Sequence, residues 1–154
     1  KEPGTTGGFS YEKMGRGRGV MEQNLAELRA LSGSGRKLEP KEKSAYRAIR
    51  VAEEMYARGL EFAPIDIMKA DPIRFTITDD GRIMPSINSI DGIGDELAES
   101  IARAASQGEF LSKDEFRERT KASQTNVEKL SELGIIDQLP QSGQLSIFDI
   151  MKNA

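Results

Sequence analysis

Cysteine, histidine and tryptophan are all missing from this sequence. Without cysteine there is no disulfide framework and no thiol nucleophile. Without histidine as well, zinc-finger ligand sets and imidazole bases are excluded. A chain free of disulfides suits a reducing compartment, so the expected setting is cytoplasmic. Aromatic residues make up only 6 % and hydrophobic residues 37 % of the 154 positions, so a thin core of Ile, Leu, Ala and Met is expected. No apolar run approaches the roughly 20 residues of a membrane span, and no signal peptide opens the chain, so no membrane role is expected. Charge of one sign is also not in excess. Charged residues are 31 % of the chain and the net charge is −3, so the overall balance does not argue for a polyanionic partner.

The placement of charge says more than its total. Lys13 to Arg50 holds ten basic and four acidic residues, a balance of +6, whereas Val51 to Ser112 holds five basic and twelve acidic, a balance of −7. A chain polarised in this way is able to lay a basic face on a phosphate backbone. Two solvated faces are the competing reading. The run Gly15-Arg16-Gly17-Arg18-Gly19 joins close backbone approach to guanidinium charge, which suits phosphates and equally suits a flexible hinge.

Periodicity sets out the elements. Residues 1–19 are rich in Gly and Thr and read as a linker or extended arm. Met21, Leu25 and Leu28 predict a short helix over 20–31, stopped by Ser32-Gly33-Ser34-Gly35. Pro40 opens a longer helix to about Arg58, with Ala45, Ile49, Ala52 and Met55 or Tyr56 as its buried stripe and Gly59 as its stop. The period then changes to two at Ile65 and Ile67 and again at Phe75 and Ile77. Asp80-Gly81, followed by Arg82-Ile83-Met84, predicts a small β-hairpin. Helices are predicted again over 97–106, 113–120 and 125–133. The fold class expected is mainly α, with short helices and one β-hairpin.

The most informative stretch runs from Ile87 to Ile101 through Ile90-Asp91-Gly92-Ile93-Gly94. Glycine at 92 and 94 permits backbone angles that other residues avoid, and Ile93 between them is expected to plug into the core. A helix starts at once, so unpaired N–H groups and the positive end of a helix dipole face outward, which favours a phosphate. This resembles the helix-hairpin-helix motif, which grips DNA backbone without reading sequence. A tight helix–helix turn with no ligand is the alternative. Two departures stand out: Asp91 occupies the place usual for proline, and Asp95, Glu96 and Glu99 crowd the new helix. Arg103 lies further along it. A second candidate hairpin spans Lys121-Ala122-Ser123-Gln124-Thr125-Asn126, preceded by Lys113, Arg117 and Arg119. There Ser123 or Thr125 would cap the following helix. The candidate DNA-contacting residues are therefore Gly92, Ile93, Gly94, Arg103, Lys121, Ser123 and Thr125.

Past Pro140 the chain is polar except for a short apolar anchor in Gln144-Leu145-Ser146-Ile147-Phe148-Asp149. That segment resembles the peptide with which bacterial polymerases hold the ring-shaped sliding clamp, with Ile147 where Leu is more usual. From about Leu38 to Asp149 the chain resembles the extreme C-terminus of the PolC-type DNA polymerase III alpha subunit. The resemblance is carried by Glu53-Glu54-Met55-Tyr56-Ala57-Arg58-Gly59, Ile90-Asp91-Gly92-Ile93-Gly94, Gly108-Glu109-Phe110-Leu111-Ser112-Lys113-Asp114, Leu133-Gly134-Ile135-Ile136-Asp137 and Gln144-Leu145-Ser146-Ile147-Phe148.

The resemblance implies four parts: a Gly/Arg-rich lead at 1–37, whose role stays open; a fingers-end region at 38–85; a helix-hairpin-helix duplex-binding domain at 86–140; and a clamp-binding tail at 141–154. It implies Gln144, Leu145, Ile147 and Phe148 as the clamp anchors, with primer–template DNA, the sliding clamp and the rest of the polymerase as partners. It places the chain at the replication fork on the nucleoid. It also implies that the magnesium-holding carboxylates lie in an upstream palm. Asp66, Asp71, Asp79 and Asp80 read as ordinary turn chemistry, so no catalytic residue, metal site or cofactor is expected in this chain. A free-standing DNA-binding adaptor in repair or uptake, and a helical scaffold without DNA, are the competing classes.

Overall fold

The computed structural model describes residues 8–142. The expected clamp anchors Gln144, Leu145, Ile147 and Phe148 lie outside the described residues.

Among the described residues the first element is a single helical turn, α1 (Tyr11–Met14), that the Gly-rich composition hides. Ser10 caps it by accepting from the Lys13 amide. The expected extended arm is thus folded from residue 8 onward, because Tyr11 and Met14 are both buried. Helix α2 (Arg18–Gly33) follows, and α3 (Pro40–Ala57) runs back along it. Pro40 occupies the first turn of α3, and Glu42 Oε1 accepts from the Glu39 amide at 2.9 Å, satisfying a helix-start donor. Met14, Met21, Leu25, Ile49, Ala52 and Tyr56 close a first small core. Phe9 and Phe62 cover its end, with ring centroids 5.3 Å apart.

Beyond Gly59 the chain builds a second, larger core. Ile65 and Ile67 are buried in it, yet no strand forms there, contrary to their alternation. The Ile65 amide instead donates to the Tyr11 hydroxyl at 3.3 Å, so a side chain takes the place of a ladder partner. The predicted hairpin is present as β1 (Thr76–Ile77) and β2 (Ile83–Met84), antiparallel, with Thr76 opposite Met84 and Ile77 opposite Ile83. A 3-10 turn (Ile87–Ser89) then leads into α4 (Asp95–Ser106), α5 (Lys113–Thr120) and α6 (Gln124–Glu132). Their shared core includes Ile90, Ile93, Ile101, Phe116, Leu130 and Ile136, all without solvent exposure. Phe110 meets Phe116 edge to face at 4.9 Å between centroids. Helix α1 bridges the two cores: Tyr11 belongs to the larger, Met14 to the smaller.

The segment after α6 turns back onto the domain through Pro140 and Gln141. Their carbonyls accept from the Lys113 and Asp114 amides at 2.8 and 3.1 Å, and the Gln141 amide group donates to Asp114 Oδ1 at 2.9 Å. They close the start of α5.

Candidate nucleic-acid interface

The first hairpin is set by what precedes it. Asp71 Oδ1 accepts from the Ile73 and Arg74 amides at 2.9 and 2.8 Å, and these bonds hold its carboxyl below the usual range. The carbonyls of Asp71 and Pro72 in turn accept from the Ile87 and Asn88 amides, both at 3.0 Å, which fixes the 3-10 turn. Ile90 and Ile93 then anchor both ends of the turn in the core. The Ile93 amide donates to the Ile90 carbonyl at 3.1 Å, and Gly92 sits at φ +86°. This is a type II arrangement, whose third position needs positive φ.

Gly94 differs from Gly92. Its φ of −78° and ψ of 173° are ordinary extended backbone, so the expectation that both glycines supply unusual angles holds for Gly92 alone. Gly94 is the N-cap of α4 and supplies no side-chain cap. Among the described residues the amides of Gly94, Asp95 and Glu96 have no acceptor. The other two helices of this half are capped by serines: Ser112 accepts from Glu115 and Ser123 from Asn126. The start of α4 is thus the one left open to an anion among these three helices.

The second hairpin stands beside the first. Lys121 ends α5 at φ +67°, the left-handed conformation, and Thr120 beneath it is fully buried. The Ser100 hydroxyl of α4 donates to the Thr120 carbonyl at 2.7 Å, tying the two hairpins together. Between them lies a groove of about 690 Å³. Gly92, Gly94, Arg103 and Lys121 all line it, so four of the seven expected DNA-contacting residues converge there. Ile93 is buried below the turn and offers no side chain to a ligand. Ser123 and Thr125 are not part of the groove. Ser123 Oγ is occupied as the cap of α6, accepting from Asn126 at 3.1 Å.

Acidic groups in the hairpin are partly engaged elsewhere. Asp95 Oδ1 accepts from Asn88 Nδ2 at 2.9 Å. Asp91 is a junction: its amide donates to Glu12 Oε1 at 2.9 Å, its carboxylate accepts from the Ser10 hydroxyl at 3.0 Å, and its carbonyl accepts from Lys129 Nζ at 2.6 Å. Lys129 also pairs with Glu12 at 3.1 Å. A proline at position 91 has no N–H to offer Glu12, which gives the departure from the usual motif a structural meaning. Glu96, by contrast, remains exposed and lines the groove beside Arg103 and Lys121. Sequence reading misses Ser10, Glu12 and Lys129, because they meet Asp91 from 81, 79 and 38 positions away and leave no local signal.

Arg119 also departs from the expected basic cluster. It donates to the carbonyls of Ala104, Gly108 and Glu109 and lies over the Phe110 ring, 4.4 Å from its centroid. Its guanidinium closes the end of α4, while Arg117 and Lys121 stay exposed. No group of three or more His, Cys, Asp or Glu among the described residues is placed to hold a metal ion. Asp66, Asp71 and Asp80 each accept from nearby backbone amides within their own turns. Among the described residues no helix is long and apolar enough to cross a membrane.

With this geometry in place, comparison with known proteins assigns a class. The family model described as "Helix-hairpin-helix motif" matches residues 59–144, and the chain belongs to that family. The match includes the whole larger core apart from Tyr11. The chain is also similar to proteins named DNA polymerase III PolC-type. It is 38 % identical over 130 residues to that of Caldanaerobacter subterraneus subsp. tengcongensis, covering 84 % of this chain and 9 % of the relative. Against that of Clostridium perfringens it is 35 % identical over 140 residues, 91 % of this chain and 9 % of the relative. Against that of Streptococcus pyogenes it is 42 % identical over 108 residues, 70 % of this chain and 7 % of the relative. The resemblance to the PolC-type polymerase is found in these relatives, and the chain spans less than a tenth of their length.

Proposed function

We propose that this chain grips the sugar–phosphate backbone of duplex DNA in the groove between its two hairpins, as one piece of a PolC-type replicative DNA polymerase. The observation that supports it most is the uncapped start of α4, with its unpaired amides facing a groove that also receives Arg103 and Lys121. Amides and flexible cations contact phosphate oxygens, which carry no base identity. Binding is therefore indifferent to sequence, salt-sensitive, and weak in isolation because Glu96 shares the groove. In this reading the chain supplies no catalytic residue, and magnesium belongs to an upstream palm of the intact enzyme. The primer–template duplex is then the ligand, the replication fork in the cytoplasm is the setting, and Gln144, Leu145, Ile147 and Phe148 anchor a sliding clamp. The test is a fluorescence-anisotropy titration of two duplexes of unrelated sequence over a salt series, repeated with a clamp ring. Equal affinities that fall with salt are expected, and Phe148→Ala removes only the clamp contact. A strong preference for one sequence, or indifference to salt, contradicts the reading.

A further inference from the structure

The basic half of the chain takes no part in the groove. On α3, Lys43, Tyr46, Arg47 and Arg50 follow the i, i+3, i+4, i+7 spacing that places them on one helix face. Arg29 of α2 reaches the same face. Arg29 Nη2 and Arg50 Nε approach one and the same oxygen, Glu53 Oε1, at 3.8 and 3.4 Å. Arg50 Nη1 also donates to the Tyr46 hydroxyl at 3.5 Å, and the hydrogen bonds from Arg50 and then Arg29 pull that phenol below its ordinary range. A single carboxylate thus serves two guanidiniums, each with five N–H donors. Lys43 and Arg47, one turn apart and exposed, have no ion-pair partner among the described residues. Elsewhere Arg18, Arg36, Arg58, Arg82 and Arg119 each face a carboxylate of their own. Arg29 and Arg50 share one carboxylate, and Lys43 and Arg47 extend the same basic face along α3; like charges so placed repel one another in the free chain and are satisfied against a polyanion.

We propose that this face of α3, together with Arg29, binds the phosphodiesters of a DNA strand as a second contact, separate from the groove between the hairpins. Guanidiniums suit this ligand because their forked donors match two phosphate oxygens at once. The ligand class is shared with the reading above, but the residues are not, so the two stand or fall separately.

The experiment uses the whole 154-residue chain, a single strand, a short duplex and a duplex several helical turns longer. Two double variants, Lys43→Ala with Arg47→Ala and Arg29→Ala with Arg50→Ala, are compared with Gly94→Ser, which touches only the groove. All the truncated side chains are exposed, and circular dichroism verifies that the fold is kept. For each double variant the dependence of log affinity on log salt becomes shallower by about 1 per side chain removed, on the long duplex most of all. An unchanged salt slope in both double variants, while Gly94→Ser weakens binding, overturns this inference alone. A loss in both double variants with Gly94→Ser unaffected supports it and overturns the groove reading instead.

Discussion

Gly92 and Gly94 stand two residues apart and perform different tasks. Gly92 holds φ +86°, and an added Cβ there meets only Lys129 Nζ, at 3.8 Å. The cost of a side chain is therefore conformational rather than a clash. Gly92→Ala is expected to destabilise the chain by about 1–2 kcal/mol, measured by urea denaturation, with a matching loss of DNA affinity. No change in the midpoint contradicts the turn assignment. The sequence signal for this pair was the repeated glycine, which marks a turn but says nothing about which member is strained. Asp71 offers a second residue-scale test. Amides hold its folded carboxyl below its usual value, so its contribution is present above about pH 4 and is lost as pH falls through the lower, folded value. Asp80 and Glu42 shift in the same direction, Asp80 chiefly through Thr78 and Glu42 chiefly through the Glu39 amide. Acid unfolding below about pH 4 is expected, and Asp71→Asn flattens that fall; an identical pH profile contradicts it.

At the scale of elements, helices were legible where an apolar stripe met a clear stop. Lys113–Thr120 matches its expected bounds, and α4 begins at Asp95 rather than 97 because its first two residues are acidic and carry no apolar signal. Helix α1 was illegible for a different reason. Four residues are too few to display a period, and the glycines around them suggest an arm. Its importance comes from contacts over long separations: Ser10 and Glu12 hold Asp91, and Tyr11 receives the Ile65 amide. Glu12 and Lys129 are each less than one-third exposed, so truncating one leaves the other and the Asp91 amide poorly satisfied. Glu12→Ala is expected to cost about 1–3 kcal/mol and to weaken DNA binding, because the hairpin turn loses its brace. Unchanged thermal stability contradicts the role of α1 as that brace. Ile65 and Ile67 show the limit of alternation as a signal. Burial alone satisfies their side chains, and a tyrosine hydroxyl replaces the neighbouring strand.

At the scale of the molecule, two small cores are bridged by one helical turn, and each carries a different electrostatic character. The larger core presents the hairpins. The smaller one presents the basic face of α3. The four groove residues foreseen from sequence meet because the Ser100–Thr120 bond sets the hairpins side by side, a relation that no spacing along the chain encodes. Ser123 was legible as the cap of α6, whereas Thr125, the other cap candidate, lies inside that helix; that both stand outside the groove was not legible, since it depends on the direction in which α6 leaves the turn. The central claim is that bare amides at the start of α4 hold a phosphate. Its most direct test is the duplex affinity of Gly94→Ser. The backbone at 94 already has the extended angles that a serine cap adopts, so this change adds a hydroxyl that accepts from the same amides and shifts stability by only a few tenths of a kcal/mol. The account predicts weaker DNA binding by a protein that is folded and no less stable. Undiminished affinity in that folded variant contradicts it.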